Sequence, residues 1–192
     1  MSSLLPSLKS ASLLPSPIIP ASFTPSVDLT ITFPTISPAE GSLARVSDVA
    51  QQPKISISNS DSVQSYTLLL IDPDAPTPAD PKFSYWRHWV VINIPSTSSS
   101  SSSSDVTENG TTLTPYLAPG PKDESGPHRY LFLLFKEKDG WSLKKEDVGG
   151  VEFVDRRSFK AREFVEGHGL ELVGVQWMRG VGDGWVGDKG EL

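Results

Sequence analysis

Residues 66–95 read YTLLLIDPDAPTPADPKFSYWRHWVVINIP. This stretch contains two continuous apolar runs, YTLLLID and HWVVINIP, which are typical of strands that are covered on both faces. Asp72 ends the first run, and the segment between the two runs carries Asp74 among several prolines. Because proline fixes φ and removes a backbone donor, we predict a stiff loop that aims both carboxylates. The stretch therefore predicts two central strands of a sheet, joined by a rigid polar loop.

Other segments add several strands and only two helices. VDLTITFP, PKISISNS and LELVGVQWM alternate apolar and polar residues, as half-buried strands do, and HRYLFLLFKE is a further core strand. A short helix in LLPSLKSAS, capped by Ser3, is predicted to pack as a lid, and VDRRSFKAREFVEGHG predicts an amphipathic helix. Strands that do not alternate regularly with helices indicate a mainly β, mainly antiparallel fold with a few peripheral helices.

Composition limits the classes of function. The chain has 192 residues, enough for one domain, and its formal net charge is -6. This acidic balance argues against nucleic acid as a partner, because phosphates are bound by clustered Lys and Arg. The chain has no cysteine, which excludes disulfides and thiolate sites and favours a reducing compartment. No apolar stretch reaches the roughly 18 residues of a membrane span, so we predict a cytoplasmic protein without one.

The sequence divides into three parts. Residues 1–26 are predicted to be an N-terminal arm with the short helix, residues 27–178 the main domain, and residues 179–192 a glycine-rich C-terminal tail. Within the main domain, residues from about 96 to 112 include a serine tract that buries nothing and cannot offset the entropy of its own ordering. This segment is predicted to be a disordered insertion between strands.

Unusual polar residues gather beside the strongest strands. In WRHW, alternation places Trp86 and His88 on one face of the sheet and the arginine and second tryptophan on the other. In GPHRY, it places His128 and Tyr130 together, away from the arginine between them. If these strands are neighbours, the histidines converge with Asp72 at one end of the sheet, as polar groups do in small-ligand pockets. Each residue alone has a simpler explanation, since Asp-Pro is common in turns and a single buried histidine is usually just hydrogen-bonded.

Four segments, DPDAPTP, RHWVVINIP, YLAPGP and GPHRYLFLLF, resemble in order and spacing the signature segments of the phosphatidylethanolamine-binding protein (PEBP) family. The opening of the chain also looks like the N-terminal arm of fungal members related to the carboxypeptidase Y inhibitor. The resemblance covers roughly residues 4–178 and implies an antiparallel β-sandwich with a small anion-accepting pocket at one end. Carried over residue by residue, the ligand-binding residues are Asp72, Asp74, Phe83, Trp86, His88, Pro119, Pro121, His128 and Tyr130. Phe83 stands where many members have tyrosine, which removes a hydroxyl from the rim.

The resemblance implies a binding and regulatory protein that takes a phospholipid headgroup or a similar small anion. Its implied protein partner is a serine carboxypeptidase or a signalling protein, and peripheral membrane contact is expected. The chain has neither a cysteine nor a G-x-S-x-G elbow to serve as a nucleophile. Asp72 next to His88 or His128 is expected to push an imidazole toward its charged form, which would donate to phosphate.

An enzyme of fungal specialised metabolism, such as one that condenses maleic anhydride units, is the alternative. In it His88 or His128 would act as general acid or base, and Tyr130 would polarise a carbonyl oxygen. A divalent metal held by Asp72, Asp74, His88 and His128 is a less favoured possibility, because the loops are stiff. No cofactor is expected. A scaffold with a vestigial pocket is a third hypothesis.

Overall fold

The computed structural model describes residues 3–60, 64–96, 105–138, 140–150 and 152–187. In chain order its elements are α1 (Leu4–Ser10), β1 (Asp28–Thr32), β2 (Leu43–Arg45), β3 (Lys54–Ser58), β4 (Ser65–Asp72), β5 (Trp86–Pro95), β6 (Thr111–Thr114), β7 (His128–Lys136), α2 (Ala161–His168) and β8 (Glu171–Val181). Short 3-10 turns lie in several of the connections. Within these ranges, no helix has both the length and the apolar character needed to cross a bilayer.

Six strands form one sheet in the order β2-β8-β7-β4-β5-β6, and β1 pairs with β3 in a separate two-stranded sheet. The pairs are antiparallel except that of β2 with β8, which is parallel. Every residue of β4 from Tyr66 to Asp72 is buried, because neighbouring strands flank β4 on both sides and other layers cover both faces of the sheet. The mainly β fold with few helices is therefore confirmed.

Each face of the six-stranded sheet packs against its own layer. On one face, Leu69 and Ile71 of β4 contact the N-terminal arm and α2. On the other face, Leu68 and Leu70 pack with Ile31 and the rest of the two-stranded sheet. Burying one such side chain contributes about 1.5–3 kcal/mol, so these two layers account for much of the stability.

The N-terminal arm is part of the core rather than a lid. Leu8 of α1 and Ile19, further along the arm, are fully buried against the sheet. The predicted cap at Ser3 is wrong, because the Ser3 side chain makes no cap hydrogen bond and its hydroxyl instead donates to Glu40 at 3.1 Å. Helix α1 is thus held by the burial of its leucines and not by a capping side chain.

The predicted disordered insertion at about 96–112 differs from the structure in its second half. Residues 97–104 lie outside the described ranges, but Asp105 caps the 3-10 turn Val106–Asn109 by accepting from the backbone N–H of Thr107 at 3.0 Å. Asp105 also accepts from the backbone N–H of Ile55 at 3.2 Å. A buried carboxylate with two backbone donors orders this segment and leads it into β6.

The predicted C-terminal tail also begins too early. Strand β8 continues to Val181, because its last residues pair with β2. Beyond it, Arg45 donates to the backbone carbonyls of Gly182 at 3.3 Å and Asp183 at 2.8 Å. Arg45 thus holds this glycine-rich segment together with Asp123, which accepts from the backbone N–H of Gly184 at 3.0 Å. Residues 188–192 lie outside the described ranges.

Candidate functional site

The end of β4 positions the first polar group of the site. Asp72 lies opposite Trp86, the first residue of β5. One carboxylate oxygen, Oδ1, accepts from the backbone N–H of Asp74 at 2.6 Å, and the other, Oδ2, accepts from Nδ1 of His128 at 2.8 Å. Both the Asp72 and the His128 side chains are only 4% exposed. The loop therefore fixes the carboxylate, and the carboxylate fixes the imidazole.

His128 has one ring nitrogen left for a ligand. Because Nδ1 donates to Asp72, Nε2 is the free atom, and it is buried without a hydrogen-bond partner among the residues that the structure describes. His128 lines a cavity of about 490 Å³ at this end of the sheet. A buried polar atom without a partner costs about 1–3 kcal/mol. A ligand that reaches Nε2 would remove this cost.

Tyr130 is stacked beside His128 on β7. The two rings are 6.3 Å apart with an interplanar angle of 14°, and His88 meets Tyr130 edge-on at 5.3 Å. Burial, together with the negative charge of Asp72, raises the pKa of Tyr130 well above its ordinary value, so its hydroxyl stays protonated and can donate. A Cβ atom at position 180 would lie 2.5 Å from Cε2 of Tyr130. The Tyr130 ring can therefore occupy this position only because residue 180 is glycine.

A β-bulge sets the face of each residue at the start of β5. Arg87 pairs with Ile71 and Trp89 pairs with Leu70, so His88 is an extra residue between them. Trp89 consequently packs in the core layer beneath the pocket, whereas Arg87 lies on the opposite face. The prediction that these two residues share a face is wrong, because strict alternation takes no account of the inserted residue.

His88 is neutral rather than charged near pH 7. Its Nδ1 donates to the carbonyl of Leu117 at 2.8 Å. Burial lowers the pKa of His88 below its ordinary value of 6.5, and Asp72 and the Leu117 bond only partly oppose this effect. Arg156 and His128 lower that pKa further. Asp72 pushes His88 toward its charged form, as predicted, but loss of solvation outweighs this attraction, so His88 is not the charged donor that was expected.

Because His88 is buried, we expect the stability of the protein to depend on pH. Below the unfolded pKa of 6.5, the unfolded chain binds a proton that the folded His88 resists, so the folded state loses stability as pH falls. We expect the melting temperature to fall between pH 7 and pH 5, and to fall less steeply in His88→Asn, whose amide can still donate to Leu117. Thermal unfolding followed by circular dichroism at each pH measures both slopes. Equal slopes in the wild type and His88→Asn would show that His88 does not contribute to the pH dependence of the stability.

Six predicted residues line the cavity, namely Asp72, Trp86, His88, Pro121, His128 and Tyr130. Asp74 does not line it, because its carboxylate is turned to Arg129, whose Nη2 and Nε donate to it at 2.6 and 2.9 Å. Phe83 lies behind Trp86, with its ring centroid 6.4 Å from the indole and the Arg157 guanidinium 5.2 Å away. Pro119 is also absent from the lining residues.

Sequence reasoning missed the segment that forms the cavity mouth. Phe153 is 59% exposed and packs edge-on against Trp86 at 5.0 Å. Arg156 holds the turn Phe153–Arg156 in place, since its Nη1 donates to the carbonyls of His88 at 2.9 Å and Pro115 at 3.1 Å. The sequence predicted a helix capped by Asp155 or Ser158, and α2 instead begins at Ala161. No local pattern signals that a turn should reach back to β5.

A divalent metal in the pocket would require several acidic and imidazole side chains to converge on one ion. Within the described parts of the chain, no group of three or more His, Asp or Glu side chains is placed to hold a metal ion. Asp74, one of the four residues considered as metal ligands, is instead paired with Arg129. In the Asp72 and His128 pair, Nε2 is the ring nitrogen without a partner among the described residues.

Two curated plant proteins are similar to this chain. Protein MOTHER of FT and TFL1 homolog 2 from Oryza sativa subsp. japonica is 32% identical over 150 residues, 78% of this chain and 78% of that protein. Protein FLOWERING LOCUS T from Arabidopsis thaliana is 31% identical over 150 residues, 78% of this chain and 77% of that protein.

The fold is also similar to solved structures. A carboxypeptidase Y inhibitor, solved in complex with its cognate proteinase, matches with a TM-score of 0.76 over 94% of this chain and 96% of the inhibitor, at 22% identity. At that identity the likeness shows the fold alone, so the placement in a fungal inhibitor branch stays a prediction. The family profile described as Phosphatidylethanolamine-binding protein matches residues 23–177, and together with the plant relatives it shows that the chain belongs to the phosphatidylethanolamine-binding protein family.

Proposed function

We propose that this protein is a binding and regulatory protein whose pocket takes a small anion, either the phosphate of a phospholipid headgroup or free phosphate. The observation that carries the proposal is the buried Nε2 of His128, which lines the cavity without a partner among the described residues. An imidazole held from behind by a carboxylate is suited to donate to an oxyanion. The protonated hydroxyl of Tyr130 supplies a second donor on the same wall.

The acidic residues of the pocket do not prevent anion binding. Both oxygens of Asp72 already accept hydrogen bonds, from the backbone N–H of Asp74 and from His128. Glu124 lies at the rim, where it is 3.8 Å from Lys122 in an exposed pair. The negative charge nearest the anion is therefore compensated, which reduces the repulsion that a bare carboxylate would cause.

The mouth of the pocket favours an amphipathic ligand. Phe153 and Val154 are each 59% exposed, and Phe153 adjoins Trp86 at the entrance. Exposed apolar side chains beside an anion pocket would contact the glycerol or acyl part of a lipid whose headgroup had entered. This arrangement supports peripheral membrane contact as part of the proposed function.

The three histidines of the chain provide a direct test. The full chain is titrated separately with inorganic phosphate and with glycerophosphoethanolamine, and the imidazole signals are followed by NMR. We expect the His88 and His128 signals to shift with one midpoint, and His128→Ala to weaken binding at this site by about tenfold to hundredfold. His168→Ala, at the end of α2, is the matched control and should keep the wild-type midpoint. Pocket histidine signals that do not move with either compound would refute the proposal, and a response to glycerophosphoethanolamine alone would identify the headgroup.

A serine carboxypeptidase is the protein partner that the solved inhibitor complex supports by its likeness of fold. Deleting the first nine residues would not test this partner cleanly, because Leu4 and Leu8 belong to the core. Substitution of exposed arm residues, such as Lys9→Glu, leaves the core intact. Titration of a vacuolar serine carboxypeptidase with the wild-type chain and with this variant decides the question, and the absence of inhibition by the wild type would exclude the inhibitor function. The cytoplasmic location stays a prediction.

The oriented imidazole also supports an enzyme as the second candidate. Asp72 holds His128 as a carboxylate holds a general base, and Tyr130 could donate to a carbonyl oxygen. His88 is less suited to the role, because its Nδ1 is engaged by Leu117 and burial lowers its pKa. In an extract that condenses maleic anhydride units, His128→Ala should abolish product formation; unchanged product would exclude this candidate.

A further inference from the structure

A second cavity, of about 450 Å³, lies on the face of β5 that carries Arg87, away from the pocket histidines. Its walls are Arg87, the turn at residues 147–149, Asp155, residues 157–160 before α2, and Glu163, Phe164 and His168 of α2. This cavity shares no lining residue with the anion pocket. It is therefore a separate space with its own chemistry.

Arg87 is the unusual residue in this cavity. The residue is 0% exposed, and its Nη1 and Nη2 donate to the carbonyls of Val148 and Gly150. Its Nε is buried and has no hydrogen-bond partner in the part of the chain that the structure describes. Burial lowers the pKa of Arg87, whereas the charge of Asp155, on the same cavity wall, raises it. A buried guanidinium is costly unless it meets an anion, and its planar donors suit carboxylate and phosphate oxygens.

The beginning of α2 provides a second, independent feature. The N-cap residue, Lys160, makes no side-chain cap hydrogen bond. The N–H of Ala161, the first of α2, donates to the carbonyl of Phe159 at 2.8 Å, so the N–H groups that follow it are the ones left for a ligand. The helix dipole also favours negative charge at this end. Phe159, Lys160 and Glu163 place this first turn on the wall of the cavity. A helix N-terminus and a buried cation thus border one space.

The carboxylates on the walls limit the charge of an occupant. Asp147 and Asp155 each accept a backbone N–H within their own turns, from Lys144 at 2.7 Å and Glu152 at 3.1 Å. Glu163 is a third acid, whereas Arg157, Lys160 and His168 lie on the same walls. Because the lining side chains carry charges of both signs, the cavity suits a single small oxyanion and disfavours a polyanion.

We propose that the second cavity binds one small free oxyanion, a carboxylate or a monophosphate, between Arg87 and the first turn of α2. The Phe159 ring, 5.1 Å from the guanidinium carbon of Arg87, holds the side chain in place. Burial, with a contribution from Arg156, lowers the pKa of Arg87 to about 10, so the guanidinium remains charged at neutral pH. This site is additional to the anion pocket and does not depend on it.

NMR of the arginine Nε–H groups in the full chain tests the site directly. The Arg87 signal is assigned by its absence in Arg87→Lys, and the wild type is titrated with acetate and, separately, with inorganic phosphate at constant ionic strength. We expect the Arg87 Nε–H and His168 signals to shift with a common midpoint, and to do so unchanged in His128→Ala. Arg87→Lys keeps the charge but loses Nε, and should weaken binding, followed at His168, by about tenfold. Arg162→Lys, which changes an exposed arginine of α2, should leave the midpoint unchanged.

Two results would contradict the proposal of an oxyanion site in the second cavity. An Arg87 Nε–H signal that responds to neither anion would mean that the guanidinium is purely structural. A response that disappears in His128→Ala would place the anion in the pocket instead. If Arg87→Lys fails to fold, the Arg87 signal is assigned instead by triple-resonance NMR of the wild-type chain, so the titration still tests the site. A response to acetate alone would support a carboxylate as the occupant, and a response to phosphate alone a monophosphate.

Discussion

Arg129→Met is expected to lower the free energy of unfolding by about 3 kcal/mol, which corresponds to a fall of about 6–12 °C in melting temperature. Asp74 is buried, and Arg129 supplies it with donors from Nη2, Nε and its own backbone N–H. Methionine preserves much of the packing of the arginine stem but leaves the buried carboxylate without a counter-ion. The Arg129 side chain is 30% exposed, so solvent screens part of the ion pair and we take the lower end of the range for breaking a buried pair.

Arg129→Met also removes a hydrogen bond to the N-terminal arm. Nη1 of Arg129 donates to the carbonyl of Ala11 at 2.8 Å, the residue that follows α1. Removal of the guanidinium should therefore increase amide hydrogen exchange in the arm as well as lower the global stability. Urea unfolding followed by fluorescence measures the free energy, and hydrogen exchange by mass spectrometry measures the local change.

Two variants control for this prediction. Arg162→Met breaks an exposed pair with Glu166 on α2 and should leave the melting temperature essentially unchanged. Asp74→Ala combined with Arg129→Met should recover part of the lost stability, because no uncompensated charge remains. If the double variant were less stable than Arg129→Met alone, the buried charge would not be the cause of the loss.

The fold could be predicted where burial determines the residue pattern. Strands β4 and β7 consist of apolar runs because layers cover both of their faces, and this pattern is visible without a structure. Strand β2 has only three residues, too few to show a period, and its parallel pairing with β8 depends on a contact between distant parts of the chain. The same is true of the residues after Val181, which are ordered by Arg45.

The site could be predicted where strands alternate regularly. His128 and Tyr130 lie on one face of β7 as expected, and Asp72 meets them because its own strand is paired with β7. Asp74 was expected beside these residues but does not line the cavity, because it pairs with Arg129, on a strand that is distant in sequence. The neutral state of His88 follows from burial in the folded chain, which no local pattern encodes.

Asp72→Asn should weaken phosphate binding in the pocket by about tenfold, the second large effect that we expect. Asparagine keeps an Oδ1 that can accept from the backbone N–H of Asp74, so the turn is preserved. It loses the charged oxygen that accepts from Nδ1 of His128. When an anion accepts from Nε2, the carboxylate compensates the positive charge that the ring then carries, and a neutral amide cannot. Asp80→Asn, which removes an exposed carboxylate from the same loop, is the matched control and should bind phosphate as the wild type does.

The sign of the effect should reverse once His128 is absent. In His128→Ala, the carboxylate of Asp72 has lost its imidazole partner and faces the cavity as a bare negative charge. Asp72→Asn should then strengthen phosphate binding instead of weakening it. A double-mutant cycle measured by the His88 NMR signal gives the coupling between the two residues. If Asp72→Asn weakened phosphate binding equally in the wild type and in His128→Ala, this mechanism would be contradicted. Asp72 would then act on the anion directly rather than through the imidazole that it holds.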